Sequence, residues 1–385
     1  MSMITRRTLI AAGATGGLGY ALLPGFSVAA AATDQRFLFI IMRGAADGLS
    51  IVAPTGDPDF AAARGGGNTD PTGGARLDSM FTLHPSLVET GKLYQANEAL
   101  FVHAVASPYR DRSHFDGQNV LETGGESPYL LKDGWLNRML ALLPADDSRA
   151  LAIAPAVPMA LRGARPVETY AAGPQPRVTD DLLARVGRMY QGDAELDEVW
   201  ARAQSTRALA GDLGTDAGRN AVALGALAGK LLGAETGPRI AMIETGGWDT
   251  HVSQRSRLEG QLKGLDGMIA ALRTGLGPAW RRTTVVVATE FGRTVAINGT
   301  GGTDHGTASV AMLLGGAVKG GRVIADWPGL KPAALHEGRD LKPTESLHGV
   351  IAGAVAGHFG LEPKRVVAGL FPGSPARATE GLARA

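Results

Sequence analysis

Residues 285–305 read VVVATEFGRTVAINGTGGTDH. The stretch opens as a β-branched run, 284–288, which is the pattern of a strand buried on both faces. It stops at Thr289-Glu290-Phe291-Gly292-Arg293. A carboxylate at the mouth of a buried strand is costly unless something pairs with it. Asn298, several glycines and Asp304-His305 follow. We read Glu290 as sitting at the carboxyl edge of a sheet, with the Gly-rich loop folding Asp304 and His305 back toward it. Open α/β sheets bind ligands at that edge. The competing reading is an Arg293–Glu290 ion pair that only orders a loop.

Two other stretches repeat the layout. Arg36-Phe37-Leu38-Phe39-Ile40-Ile41-Met42 reads as a buried first strand and runs into Arg43-Gly44-Ala45-Ala46-Asp47-Gly48. Arg239-Ile240-Ala241-Met242-Ile243-Glu244-Thr245 runs into Gly246-Gly247-Trp248-Asp249-Thr250-His251. Asp249 and His251 are two apart, so an extended turn can aim both at one point. Asp47 also reads as a turn residue or helix cap. Further apolar runs at 99–105, 151–154, 309–314 and 321–325 predict strands. Patterns at 253–276, from Leu83 to about 96, and at 344–359 predict helices. Residues 180–235 are Ala-rich and mainly helical, and 56–76 reads as a surface loop and potential lid. Strands alternating with helices predict an α/β sandwich with a mainly parallel sheet.

A fourth segment, Ser107 to Gln118, follows the strand at 99–105. Ser113 can cap a helix with Asp116 at its third position. A hydroxyl at a helix start is also where a nucleophile meets backbone donors and a positive dipole. His114 stands beside it, and Arg110 and Arg112 are candidate cations for an anionic substrate. His103 lies inside an apolar run and reads as a core histidine. His84, before a proline, reads as a turn residue. His348 and His358 read as packing or surface positions, and His336 receives no role.

The chain has 385 residues, 44% hydrophobic and 19% charged, which is the composition of a globular protein. Its 38 basic and 37 acidic residues give a formal charge of +1. That balance gives no reason to expect nucleic acid or an anionic membrane as a partner. Residues 1–32 carry Arg6-Arg7, a short apolar run and Ala29-Ala30-Ala31-Ala32, the layout of a twin-arginine export signal. The expected address is the periplasm or the exterior, reached through the twin-arginine translocation machinery, with no stable membrane span. Cysteine is absent, so any metal must be held by oxygen and imidazole.

Asp47, Asp249, His251, Glu290, Asp304 and His305 form such a ligand set, suited to a divalent metal: Zn, Mn, Mg or Ca. Two ions would clamp the attacking and leaving oxygens of phosphoryl or sulfuryl transfer. Ser113, with His114 beside it, would attack, or a metal-bound hydroxide would, and Arg43, Arg110, Arg112 or Arg293 would neutralise a small anionic ester.

The segments around Asp47, Ser113-His114-Phe115-Asp116, Gly247-Trp248-Asp249-Thr250-His251, Glu290-Phe291-Gly292-Arg293, Asn298, Thr303-Asp304-His305-Gly306 and Phe371-Pro372-Gly373 carry a resemblance. Together with the signal, they resemble the exported bacterial family called domain of unknown function 1501. That family is similar to the alkaline phosphatase and sulfatase superfamily. The resemblance implies a three-layer α/β/α domain over 33–385 and a metal-dependent hydrolase site. It also implies that Asp47, Asp249, His251 and His305 match metal ligands and that Ser113 falls near the nucleophile. Glu290-Phe291-Gly292 stands where Asp-His-Gly is usual, so one imidazole is missing. A descendant that keeps the fold for binding or assembly is the alternative.

Overall fold

The computed structural model describes residues 34–65, 73–144, 149–173, 179–218 and 220–384. The export-signal reading at 1–32 lies outside these residues.

The first strand, β1 (Arg36–Met42), is buried along its whole length. Its side chains alternate between two cores. Leu38, Ile40 and Met42 face one, and Phe37, Phe39 and Ile41 face the other. A strand buried on both faces needs a layer on each side, and helices supply both. One core takes Leu227 and Leu231 from a helix at Ala221–Gly233 and Leu258, Leu262 and Leu265 from a helix at Gln254–Leu276. The other takes Val350, Ile351 and Val355 from Leu347–Phe359, and Leu370 from Pro363–Leu370.

The remaining strands are β2 (Val52–Ala53), β3 (Thr82–Leu83), β4 (Ala99–Ala106), β5 (Ala150–Ala152), β6 (Glu168–Thr169), β7 (Ile240–Thr245), β8 (Thr283–Ala288), β9 (Ser309–Leu314), β10 (Arg322–Ile324) and β11 (Glu345–Ser346). The large sheet runs β10-β4-β9-β8-β1-β7-β5-β6, with β11 also on β4. β1 pairs in parallel with β7 and β8. In register, Ile41 stands opposite both Glu244 and Ala288, so three strands end level. β9 is antiparallel to both β4 and β8. The sheet is therefore mixed, though mostly parallel. The reversal matters for the site: β9 begins at the edge where its neighbours end. Residues just before it, Asp304 and His305, thus meet residues just after β1, β4, β7 and β8.

Several local expectations change. Thr82–Leu83 pairs antiparallel with Val52–Ala53, so the helix expected from Leu83 starts at Val88. Residues 345–346 join β4 as a strand, and the helix expected from 344 starts at Leu347. The loop at 56–76 is not simply a surface loop. Its described part buries Phe60 and Arg64, each 2% exposed. No helix among the described residues is long and apolar enough to cross a membrane.

His103 and His358 are wholly buried, as the core reading of His103 anticipates. His103 bonds the Val52 carbonyl at 2.8 Å, and His358 meets the Thr284 hydroxyl at 2.9 Å. Burial pushes His103 down to about 4 and His358 down to about 3. The unfolded chain, with histidines near ~6.5, therefore takes up protons that the folded chain refuses. Stability should be flat above that value and fall as pH drops toward 4, by on the order of 3 kcal/mol per histidine. Urea unfolding at pH 7 and pH 5 checks this, and equal midpoints would contradict it.

Candidate metal centre

Four chain segments meet at the sheet edge. A helix at His114–Thr123 follows β4, and Ser113 is its N-cap residue. Its side chain makes no capping hydrogen bond, so the expected capping box with Asp116 is not formed. The turn before it is strained. Arg112 has φ +61°, a conformation costly for a residue with a β-carbon. That twist accompanies a specific contact, because the Arg112 carbonyl meets His305 Nδ1 at 2.9 Å.

Each histidine of the centre is held in the same way. His114 Nδ1 lies 2.8 Å from Glu290 Oε1, and His251 Nδ1 lies 3.1 Å from Asp304 Oδ1. All three partners, two carboxylates and a carbonyl, can only accept. Each Nδ1 therefore donates, which turns each Nε2 inward, and in the neutral ring that nitrogen is the bare one. The Nε2 atoms converge. His251 Nε2 and His305 Nε2 are 3.0 Å apart. Asp249 Oδ1 lies 3.0 Å from the first and 3.3 Å from the second. His114 Nε2 is 3.4 Å from Asp249 Oδ2, has no hydrogen-bond partner and is buried. One ligand atom from each of His114, Asp249 and His305 lies within 4.8 Å of the others. At 3.0 Å the two Nε2 atoms need either a proton on one of them or a cation between them.

Electrostatics favour positive charge there. Hydrogen bonding to Glu290, followed by the charges of Glu290 and Asp249, raises His114 against the opposing effect of burial. Burial and the neighbouring His114 lower His305. Burial alone would raise Asp249, but the Arg293 bond and charge outweigh it and hold it low. Asp304 is held low chiefly by the Asn298 amide. Burial opposes ionisation of Glu290, yet bonds from His114, Gly44 N and Gln118 keep it below its usual value. Glu290 is fully buried and accepts from Gly44 N at 2.8 Å and Gln118 at 3.2 Å. Gly44 is required here: at φ +119°, a β-carbon would sit 2.5 Å from Asp249 N.

The donor set fits a transition metal. Three imidazoles and a carboxylate suit Zn²⁺ or Mn²⁺. They do not suit Mg²⁺ or Ca²⁺, which take oxygen. Phe291, which cannot ligate, stacks on His114 with ring centroids 5.1 Å apart and closes that side.

The structure thus brings together Asp249, His251, His305 and His114, the last expected only as a partner of Ser113. Glu290 and Asp304, expected as ligands, stand behind histidines as their anchors. Asp47, also expected as a ligand, is engaged elsewhere. Its carboxylate pairs with Arg64 and accepts from Ser50 at 2.8 Å, Gln254 at 2.6 Å and Leu49 N at 3.2 Å. Three of these bonds fall on Oδ2, and Arg64 already supplies the countercharge. Asp47 is therefore not among the groups that converge on Asp249.

Three of the four expected substrate cations are committed to carboxylates of this chain. Arg43 binds Glu122 at 2.8 Å and Glu244 at 2.7 Å. Arg112 pairs with Glu337 and with Asp340. Arg293 grips Asp249 at 2.6 Å and the Thr303 carbonyl, so the competing Arg293–Glu290 pair is not formed. Arg110 turns to the carbonyls of Ser107 and Tyr109. Sequence reasoning missed Arg64, Gln118, Glu122 and Gln254. None carries a local signal, because their partners lie far away in the chain.

Fold and centre together define an α/β protein with a three-histidine, one-aspartate cluster at the edge of a mostly parallel sheet. The chain belongs to the family described as "Protein of unknown function (DUF1501)", which matches residues 34–371. A comparison with curated proteins finds no match. Among solved structures, the chain is similar to the zinc complex of the C-terminal periplasmic domain of EcEptC from Escherichia coli. That likeness has 9% identity and a TM-score of 0.38, covering 74% of this chain and 73% of that one. It is also similar to the phosphonate monoester hydrolase of Agrobacterium radiobacter, at 13% identity and a TM-score of 0.32, covering 90% and 79%. These likenesses are too weak to carry an argument about activity.

Proposed function

We propose that the protein is an exported, metal-dependent hydrolase of small phosphate or sulfate esters. In this reading residues 33–385 form one alkaline-phosphatase-like domain, 180–235 is a helical insertion in it, and 1–32 is a twin-arginine signal. Export in the folded state suits a metal acquired before translocation to the periplasm or beyond.

One observation carries the reading: the Nε2 atoms of His251 and His305 face each other at 3.0 Å beside Asp249. His114, Asp249, His251 and His305 would hold the cation. A divalent transition metal bound there supplies Lewis-acid activation of water or of an ester oxygen. The chain's own groups do the rest. Glu290, Asp304 and the Arg112 carbonyl fix the imidazole tautomers, as anchoring partners of metal-binding histidines do. Arg293 orients Asp249. Ser113 stands at the amino end of a helix, where the backbone donors and dipole favour an anion, and is the candidate nucleophile.

A second reading has its own support. Arg43, Arg112 and Arg293 are each paired with a carboxylate of this chain. A centre without a spare cation suits a periplasmic binding or assembly protein that retains the fold.

Protein purified without chelator should hold about one Zn²⁺ or Mn²⁺ per chain by mass spectrometry. It should turn over p-nitrophenyl phosphate or p-nitrophenyl sulfate, and Ser113→Ala should lower kcat by roughly a hundredfold or more. Bound metal with no turnover of either ester would favour the second reading. No bound metal would remove both the cation and the hydrolase.

A further inference from the structure

A cavity of about 250 Å³ opens where β4 and β11 end. Arg110, Glu126, Thr344, Glu345, His348 and Ser374 line it. Nothing in the proposed hydrolase uses it. Two features left unassigned meet here, the Arg110 cation and the Phe371-Pro372-Gly373 motif. Phe371 stacks on His348 with ring centroids 4.3 Å apart. Ser374, just past the motif, places its hydroxyl 3.2 Å from His348 Nδ1. Glu126 Oε1 lies 3.5 Å from the same nitrogen.

The polar groups here are unusually incomplete. Glu126 Oε1, Thr344 Oγ1 and His348 Nε2 are buried atoms without a hydrogen-bond partner. Buried polar atoms normally find partners, and these three belong to residues that line one cavity. Arg110 adds a mismatch in charge. It bonds only carbonyls, of Ser107 and Tyr109, and no ion pair to it is present among the described residues. Burial, with no anion to offset it, lowers this guanidinium.

We propose that this cavity binds a small carboxylate that carries its own hydrogen-bond donor, the chemistry of α-amino and α-hydroxy acids. The Arg110 fork complements the carboxylate. The donor meets Glu126, which needs one. A bare oxyanion such as phosphate would satisfy Arg110 but would face the Glu126 and Glu345 carboxylates. The volume suits a molecule at the small end of ligand size. The site is independent of the metal centre, so its failure and the failure of the hydrolase reading are separate results.

Calorimetric titration of the full chain tests this with four probes: L-serine, glycolate, acetate and inorganic phosphate. L-Serine and glycolate should saturate, and acetate, lacking the donor, should bind about tenfold more weakly. Arg110→Gln should weaken L-serine roughly 10–100-fold. Glu126→Gln should weaken L-serine more than glycolate, since only the ammonium loses a charge partner. Thr344→Val, a near-isosteric change, should weaken L-serine about fivefold and guards against an Arg110 variant that fails to fold. The proposal is overturned if no probe saturates below about 10 mM, leaving the cavity to water. Phosphate binding more tightly than L-serine would also overturn it. So would an unchanged L-serine affinity in folded Arg110→Gln and Thr344→Val.

Discussion

His305→Ala should lower the affinity for Zn²⁺ by well over a hundredfold, while Glu290→Gln should lower it roughly 10–100-fold. The two differ because they act at different distances from the ion. His305 offers Nε2 itself, 3.0 Å from His251 Nε2 and 3.3 Å from Asp249. Glu290 acts through His114, whose Nδ1 it holds at 2.8 Å. Glutamine in its place can present an amide nitrogen to that ring and reverse the tautomer, taking the lone pair from Nε2. The affinities are read by competition with a chromophoric chelator. If His305→Ala binds Zn²⁺ as well as the parent chain, the cluster is a hydrogen-bonded ornament of the loop. If Glu290→Gln costs more than His305→Ala, the roles of ligand and anchor are reversed.

The second large effect concerns the pair that replaces a further metal acid. Arg64→Met should destabilise the fold by about 3–5 kcal/mol, because it strands the ionised Asp47 carboxylate in the interior. Both side chains are 1% exposed. Arg64 also donates to Ser50 Oγ and to the Val295 carbonyl, each of which loses a partner. Arg64→Met combined with Asp47→Asn should cost distinctly less, since no unpaired charge remains. Guanidinium unfolding of the single and double variants gives the comparison. A double variant as unstable as the single would show that packing, not charge, sets the cost. The pH dependence has a definite sign. Burial would raise the Asp47 carboxyl, but the Arg64 charge and the bonds from Arg64, Ser50 and Gln254 outweigh it and hold the group low. The contribution of the pair is therefore complete above the ordinary carboxylate value near ~3.9 and is lost as pH falls through the depressed one.

Much of this arrangement is legible locally. The run 284–288 reads as a doubly buried strand, and so does Arg36–Met42, because apolar continuity is a nearest-neighbour property. The acids and histidines after each strand can be found for the same reason. Asp249 and His251 after β7 meet His305 before β9, as the carboxyl-edge argument expects. The antiparallel course of β9 is not legible, since a six-residue apolar run has no direction. Pairing is still less so. Arg43 finds Glu122 and Glu244, 79 and 201 positions away. An arginine that looks available for substrate in the sequence is thus spent on internal carboxylates. His114 shows the converse. It looks like a companion to Ser113, and only the fold reveals that Glu290, 176 positions on, turns its Nε2 toward Asp249. Arg64 sits in a Gly-rich stretch with the composition of an exposed loop, and Asp47 draws it inside.

X-ray absorption at the metal edge addresses the central claim most directly. For protein loaded with one equivalent of Zn²⁺, the account predicts a first shell of nitrogen and oxygen at about 2.0–2.1 Å with multiple-scattering features from imidazole. Those features should diminish in His305→Ala. A shell of oxygen alone, unchanged by the loss of His305, would place the ion elsewhere and contradict the account.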